Sequence, residues 1–217
     1  WRIIMSYVHT LKRIRTHKTN YRKRQALLIS RQNFVTIKIT NQNLIAQVLK
    51  PEIRGDEVRV STHSRELRRH GWKGSLNSLP ACFLVGTLLG RKALEKEVKN
   101  AILYIGNKPF TSRIAACVKG IVHAGVNIPI SSESFPPDHR LNGQHIANYA
   151  TKLKSEDIEK YNKNFSSIIR EGLMPENYQM HVEEISKLIM SGNMHEKYDK
   201  HAKVHKIKES VIGKTGT

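Results

Sequence analysis

The run LPACFLVGTLLG, residues 79–90, is almost wholly apolar, and no other stretch restricts the fold as much. A bilayer-spanning helix needs about 20 consecutive apolar residues, so a run this short belongs in a protein core and a transmembrane reading fails. The pattern continues as one helix from Ser78 to Lys99. Ala93, Leu94 and Val98 share one side of it, while Glu95 and Lys99, four apart, form an expected surface pair. Gly86 and Gly90, also four apart, are expected to let the buried half approach a sheet closely.

That sheet is written mostly upstream. NFVTIKIT (33–40) alternates Val35, Ile37 and Ile39 with Thr36 and Lys38, the period of a half-buried strand. NLIAQVLK (43–50) repeats the alternation after an Asn-Gln turn, which predicts an antiparallel hairpin, and VRVSTHS (58–64) supplies a third strand beyond Gly55 and Asp56. A short helix is expected over 64–70. AILYIG (101–106) reads as a central strand and SRIAACVKGIVHAG (112–125) as a helix ending at Gly125. The order β-β-β-α-β-α predicts an α/β fold, a mixed β-sheet packed with helices.

Pro129, Pro136 and Pro137 break the regular pattern, since proline removes a helix donor. The predicted organisation is a basic N-terminal arm over 1–32, an α/β core over 33–128, a Pro-containing connection with C-terminal helices over 129–192, and a mobile tail over 193–217. In the C-terminal extension, 143–172 and 176–190 read as two helices. The chain opens on Trp1 rather than Met, which suggests a missing or processed start, and residues 1–11 lack the apolar core and cleavage site of a signal peptide. Cys82 and Cys117 suit buried thiols of a reducing compartment better than a disulfide framework.

Charge then narrows the partner. The chain carries 37 Lys and Arg against 18 Asp and Glu, a formal charge of +19. Residues 1–51 hold 11 of those cations and no acid. Like charges crowded on one segment oppose compaction, so RIRTHKTNYRKR (13–24) implies a negative counterpart outside the chain. Lys and Arg release condensed counterions when they neutralise phosphates, Tyr21 can stack on a base, and Asn20 can bond an exposed base edge. RELRRHGWKG repeats the mixture of cation and ring, with Arg65, Arg68, Arg69 and Lys73 around Trp72.

Competing chemistries lack their parts. A ribonuclease-H-like nuclease holds divalent metals on strand-end carboxylates, but no Asp or Glu precedes Glu52, and Tyr104 stands where a ligand would be sought. His201 and His205 are spaced for two metal ligands on one helix face, yet their tail supplies no matching Cys or acidic pair. His63 and Ser64 are adjacent, and neighbours on a strand point to opposite faces, which is poor geometry for a base and its nucleophile. No Walker loop or strand-bounded GxGxxG is present. No cofactor, metal, membrane or small-molecule substrate is expected.

Taken together, the segments are recognisable. RIRTHKTNYRKRQALL is similar to RRREGKTDYxKR, STHSREL with GWKG to SAHSREL with GWKGG, and RLNGQHIANYA to RIRGEHIAEYA; RKALEKEVKNAILYIG also matches. These motifs resemble the archaeal and eukaryotic branch of the universal 5S-rRNA-binding family of large-subunit ribosomal proteins, the eighteenth in the usual count. The resemblance runs through most of the chain. It implies a cytoplasmic structural protein of the large ribosomal subunit, not an enzyme, that helps anchor 5S rRNA in the central protuberance. The partners implied are 5S rRNA, large-subunit rRNA and neighbouring large-subunit ribosomal proteins.

Motif matches carry RNA contact to Arg13, Arg15, Lys18, Thr19, Asn20, Tyr21 and Arg24 of the arm, and Arg22 and Lys23 between them are expected to join in. Lys38, Asn41, Asn43 and Gln47 on the hairpin are a further candidate surface, as are His63, Ser64, Arg65, Trp72 and Lys73. Where the family has DIGLxxPTxGSRVFAALKG this chain has the shorter YIGNKPFTSRIAACVKG, which still supplies Arg113 as a contact. The alternative to a fixed ribosomal site is a general RNA chaperone.

Overall fold

The computed structural model describes residues 10–52 and 54–192. The start of the arm and the tail with His201 and His205, including its expected mobility, lie outside the described residues. Two short helices lead, α1 (Lys12–Arg15) and α2 (Tyr21–Leu28). The period-two segment then forms the strands β1 (Asn33–Ile39), β2 (Leu44–Lys50) and β3 (Glu57–His63). Register sets Val35 beside Val48, Ile37 beside Ala46, and Ala46 beside Thr62, and all five are buried on one face. The other face carries Thr36 beside Gln47 and Gln47 beside Ser61. A 3-10 helix, Ser64–His70, follows at once.

Helix α3 (Leu79–Glu95) is the central element. The Ser78 hydroxyl accepts from the Ala81 amide at 3.4 Å to cap it, and Pro80 sits in its first turn, where no intrahelical donor is lost. Eleven of its 17 residues are buried, so it needs cover on nearly every side. The cover comes from β2 and β3, from α4 (Ser112–His123), and from the last described helix. The helix ends at Glu95, short of Lys99, so Glu95 pairs with Arg91 at 3.1 Å and not with Lys99.

Gly86 and Gly90 do not face the sheet. A Cβ on Gly86 would lie 1.9 Å from the Cys117 carbonyl oxygen of α4, and one on Gly90 would lie 2.7 Å from the Ala124 Cβ. Gly120 answers from α4, with the Phe83 oxygen 2.1 Å from where its Cβ would be. Glycine is needed where two helix backbones touch; against the sheet, α3 presents larger side chains that fill the gap.

Strand β4 (Ala101–Leu103) pairs parallel with Asn33–Val35, giving the order β3-β2-β1-β4. The expected central strand is therefore the end strand, and a single bridge from Asn100 to Asn127 follows on its far side. The chain parts from β1 at Tyr104, whose amide donates to the Val35 carbonyl at 2.8 Å. Beyond Val35, β1 has no strand neighbour on that side among the described residues.

In the C-terminal extension, α5 (Asp138–Leu141) precedes α6 (Gln144–Glu156) and α7 (Ile158–Arg170). The single helix expected over 143–172 is thus two. Asp157 adopts an extended backbone, and its carboxylate accepts from the Lys160 amide at 3.1 Å, so it starts α7 as an N-cap. Helix α8 (Tyr178–Ser191) lays Tyr178, Val182, Ile185 and Ile189 into the main core. Trp72, expected to contact RNA, is in that core at 2% exposure. Its ring stacks on His181 with centroids 5.2 Å apart and meets Tyr178 edge-on at 5.6 Å, and its Nε1 donates to the Ser75 carbonyl at 3.3 Å. An indole offers a large apolar area and one donor, and both are already used.

Two expectations follow for stability. Gly86→Ala forces α3 and α4 apart and costs about 3 kcal/mol or more, above ordinary overpacking, whereas Gly106→Ala, with open space around it but a φ of +66°, costs only about 1 kcal/mol; urea denaturation checks the ranking. His181 Nε2 accepts from the Lys73 amide at 3.2 Å, and burial pulls its pKa below the ordinary 6.5, with Lys73 adding to the shift and Glu184 opposing it. The unfolded chain binds this proton more readily, so the contribution is full above 6.5 and is lost as pH falls toward the folded value. The urea midpoint of the wild type should drop between about pH 7.5 and about pH 5.5 by more than that of His181→Gln, which accepts without titrating; equal drops would contradict the assignment.

Candidate nucleic-acid interface

The arm lies against the polar face of the sheet. Asn20 begins α2 as its N-cap, its Oδ1 accepting from the Lys23 amide at 3.0 Å, so that its carbonyl side is engaged locally. The Thr19 hydroxyl is buried and accepts from Arg13 Nε at 2.8 Å, which ties α1 to the start of α2. Arg24 reaches down from α2 to pair with Asp56, and its guanidinium stands 5.8 Å from the Phe34 ring centre and 5.7 Å from that of Tyr104. Asp56 raises the Arg24 pKa further, so this cation is permanent. Asn107 Nδ2 donates to the His17 carbonyl at 2.8 Å and ties the arm to the loop after β4.

Between arm and sheet is a concavity of about 540 Å³. Seven predicted residues line it: Arg13, Lys18, Thr19, Tyr21 and Arg24 from the arm, Lys38 and Gln47 from the strands. Arg15, Arg22 and Lys23 are exposed on the arm but do not line it. A second concavity, about 580 Å³, opens beside the β1–β2 turn. It gathers Asn41, Asn43, Arg65 and Lys73, with Arg68 and Asn77 besides, and Ser167 of α7 and Glu171 just past its end wall it. Arg113 is in neither; it lies in a third hollow past the free edge of β1.

Some of the predicted contact residues have partners inside the protein. Ser64 is fully buried, its hydroxyl donating to Asn43 Oδ1 and accepting from the Leu44 amide, both at 3.2 Å, so it fastens the hairpin and presents nothing to a partner. Trp72 is enclosed as described above. His63 Nδ1 accepts from the Arg65 amide at 3.0 Å and starts the 3-10 helix, with Glu66 accepting from the His63 amide at 2.9 Å. Lys73 Nζ donates to the Gly172 carbonyl at 3.2 Å, and Arg68 pairs with Glu171 at 3.4 Å; both links hold the end of α7 over the second concavity.

The contributions of Asp56, Asn107 and Lys108 escaped the sequence reading. Nothing in the sequence around Asn107 and Lys108 names a partner, and only the departure of the chain from β1 brings them beside the arm. Asp56, the first Asp of the chain and close behind the acid-free residues 1–51, was the available signal. Both cysteines are buried free thiols; burial pushes the Cys82 thiol up to about 12 and Cys117 higher than its ordinary value too, so neither is a ready nucleophile. Among the described residues no group of His, Cys, Asp and Glu is placed to hold a metal ion, and no helix is long and apolar enough to cross a membrane.

Residues 6–110, which span the arm, the sheet and both concavities except the α7 wall, match the family described as ribosomal large subunit proteins 60S L5 and 50S L18. The large ribosomal subunit protein uL18 of Thermofilum pendens is 41% identical over 177 residues, covering 81% of this chain and 90% of that protein. The chain belongs to the uL18 family. It is accordingly a structural constituent of the large ribosomal subunit, at work on the cytoplasmic ribosome among rRNA and other ribosomal proteins. For a uL18-family protein, surface cations without carboxylate partners acquire a reason: of the arm cations from Lys12 to Arg31, only Arg24 has an ion-pair partner among the described residues.

That single pair is therefore the arm's one ionic fastening among the described residues, beside the Asn107 bond to the His17 carbonyl. Asp56→Asn should leave the core's urea midpoint nearly unchanged, because exposed pairs contribute roughly 0–1 kcal/mol, while trypsin cuts between residues 13 and 24 several-fold faster in the free protein. Unchanged cleavage would mean that the arm is held by other contacts.

Proposed function

We propose that this uL18-family chain binds 5S rRNA and helps anchor it to large-subunit rRNA in the central protuberance. The reading rests on one observation above others: Arg13, Lys18 and Lys38 converge on a concavity beside the exposed Tyr21 ring, and none of the three has a carboxylate partner among the described residues. Unpaired cations around a ring suit ribose-phosphate, the cations neutralising phosphate and the ring stacking on an unpaired base. Phosphate contacts then supply affinity, and contacts to bases in loops supply selectivity. Arg15, Arg22 and Lys23, exposed on the outer side of the arm, extend the charged surface toward a second rRNA segment. The hairpin concavity with Asn41, Asn43 and Arg65 offers side-chain amides and a guanidinium for base edges.

Filter binding of 5S rRNA across a salt series tests this. Neutralising about six phosphates gives a log-log slope of roughly −4 to −5, and replacing Lys18 and Lys38 by Ala should make it shallower by about 1.5. A slope near zero would sink the electrostatic mechanism. Unlabelled tRNA should displace 5S rRNA far less well than 5S rRNA does itself; equal displacement would favour a general RNA chaperone.

A further inference from the structure

The hollow that holds Arg113 lies between the free edge of β1 and the loop leading to α4, with a volume of about 490 Å³. Its position is strategic. It shares Lys108 and Ile37 with the arm concavity and Asn41 and Asn77 with the hairpin concavity, so it joins the two into one track.

Its chemistry is distinct from theirs. In the arm concavity Arg24 is paired with Asp56, and in the hairpin concavity Arg68 is paired with Glu171. Here Lys108 and Arg113 have no carboxylate among the described residues, and no acidic side chain lines the hollow. Two polar atoms are also left over. Asn77 Nδ2 donates to the carbonyls of Thr40 at 3.0 Å and Asn41 at 2.8 Å, which fixes the amide's orientation and leaves Oδ1 buried without a donor. The Thr111 hydroxyl is likewise buried and unpartnered, and it makes no cap bond to α4. Unsatisfied buried acceptors cost stability, so a ligand that brings donors is favoured there. Ile39 and Pro109 supply an apolar wall.

Two unpaired cations, two unused acceptors and an apolar wall in one hollow describe the complement of a ribonucleotide. Its phosphate meets the cations, its hydroxyl or amino donors meet the acceptors, and the face of its base meets the wall. We infer that this hollow seats one unstacked nucleotide of rRNA, with Lys108 and Arg113 on its phosphate and Asn77 Oδ1 and Thr111 Oγ1 accepting from its donors. The inference rests on the rRNA-binding reading and specifies a point along the bound strand.

The test uses the full chain with 5S rRNA and, separately, with a large-subunit rRNA transcript. Lys108→Met with Arg113→Met should weaken one of the two about tenfold or more and make its salt slope shallower by about 1.5, as expected for two lost cations at phosphate. Thr111→Val, which keeps shape and touches no cap bond, should weaken the same RNA several-fold with the slope unchanged. Circular dichroism and urea midpoints confirm that each variant is folded; should the double variant fail to fold, Thr111→Val alone carries the decision. If these variants bind both RNAs like the wild type while Lys18 and Lys38 replacements lose binding, the nucleotide seat is wrong and the rRNA-binding reading stands. If none of them alters binding, both fall.

Discussion

The backbone contact between α3 and α4 is the constraint from which the rest follows. Gly86 meets the Cys117 carbonyl and Gly120 meets that of Phe83, so the two helices pack at a distance no side chain permits. That proximity lets an apolar helix be covered from α4, from one face of the sheet and from α8 together. Apolar burial of this kind yields about 25 cal/mol per Å², and the chain concentrates it on one side of the sheet. Among the described residues only the short helices of the arm lie over the other side, and there the strands carry Thr36, Lys38, Gln47 and Ser61.

An unlayered polar face is what makes room for the arm. A segment from Lys12 to Arg31 without a single acid has no ion pair of its own to draw it together, and its charges repel. It can be docked on the body, chiefly by Arg24 with three contacts of different kinds, Asp56 as ion pair and Phe34 and Tyr104 as ring faces, while Asn107 holds the His17 carbonyl. The remaining cations are then held outward by a folded body without being neutralised by it. Cation–π and ion-pair contacts at such partly exposed sites are individually modest, which suits an arm whose stronger partner is external.

Much of this was legible in the sequence. Alternation located all three antiparallel strands, and the apolar run located α3, because burial on one face or on every face writes its own period. The misreadings share a cause: they depend on which element meets which. The glycines of α3 announced a close approach but not its partner. AILYIG had the apolar character of a central strand, yet Asn127 and not a full strand lies beyond it. Asp157 did have a local signal, a capping acid three residues before Lys160, inside a helical pattern long enough to hide it. Trp72 and Ser64 sit in motifs with cations, and a motif does not say which members face inward.

Those two residues sharpen how the candidate interface is to be read. A family motif such as STHSREL followed by GWKG mixes residues that build the surface with residues that are the surface. Ser64 spends its hydroxyl on the hairpin and His63 its Nδ1 on the start of the 3-10 helix, and Trp72 anchors α8 through His181 and Tyr178. Arg65 is left exposed because its neighbours are so occupied. The same division runs through the cations: Arg24, Arg68 and Lys73 have protein partners and fix the position of the arm or of α7. Lys18, Lys38, Lys108 and Arg113 have no ion-pair partner among the described residues, so an incoming phosphate competes with water alone for them. Under the proposed reading, replacing a paired cation disturbs geometry and its effect passes through folding, whereas replacing an unpaired one removes a phosphate contact and appears in the salt dependence.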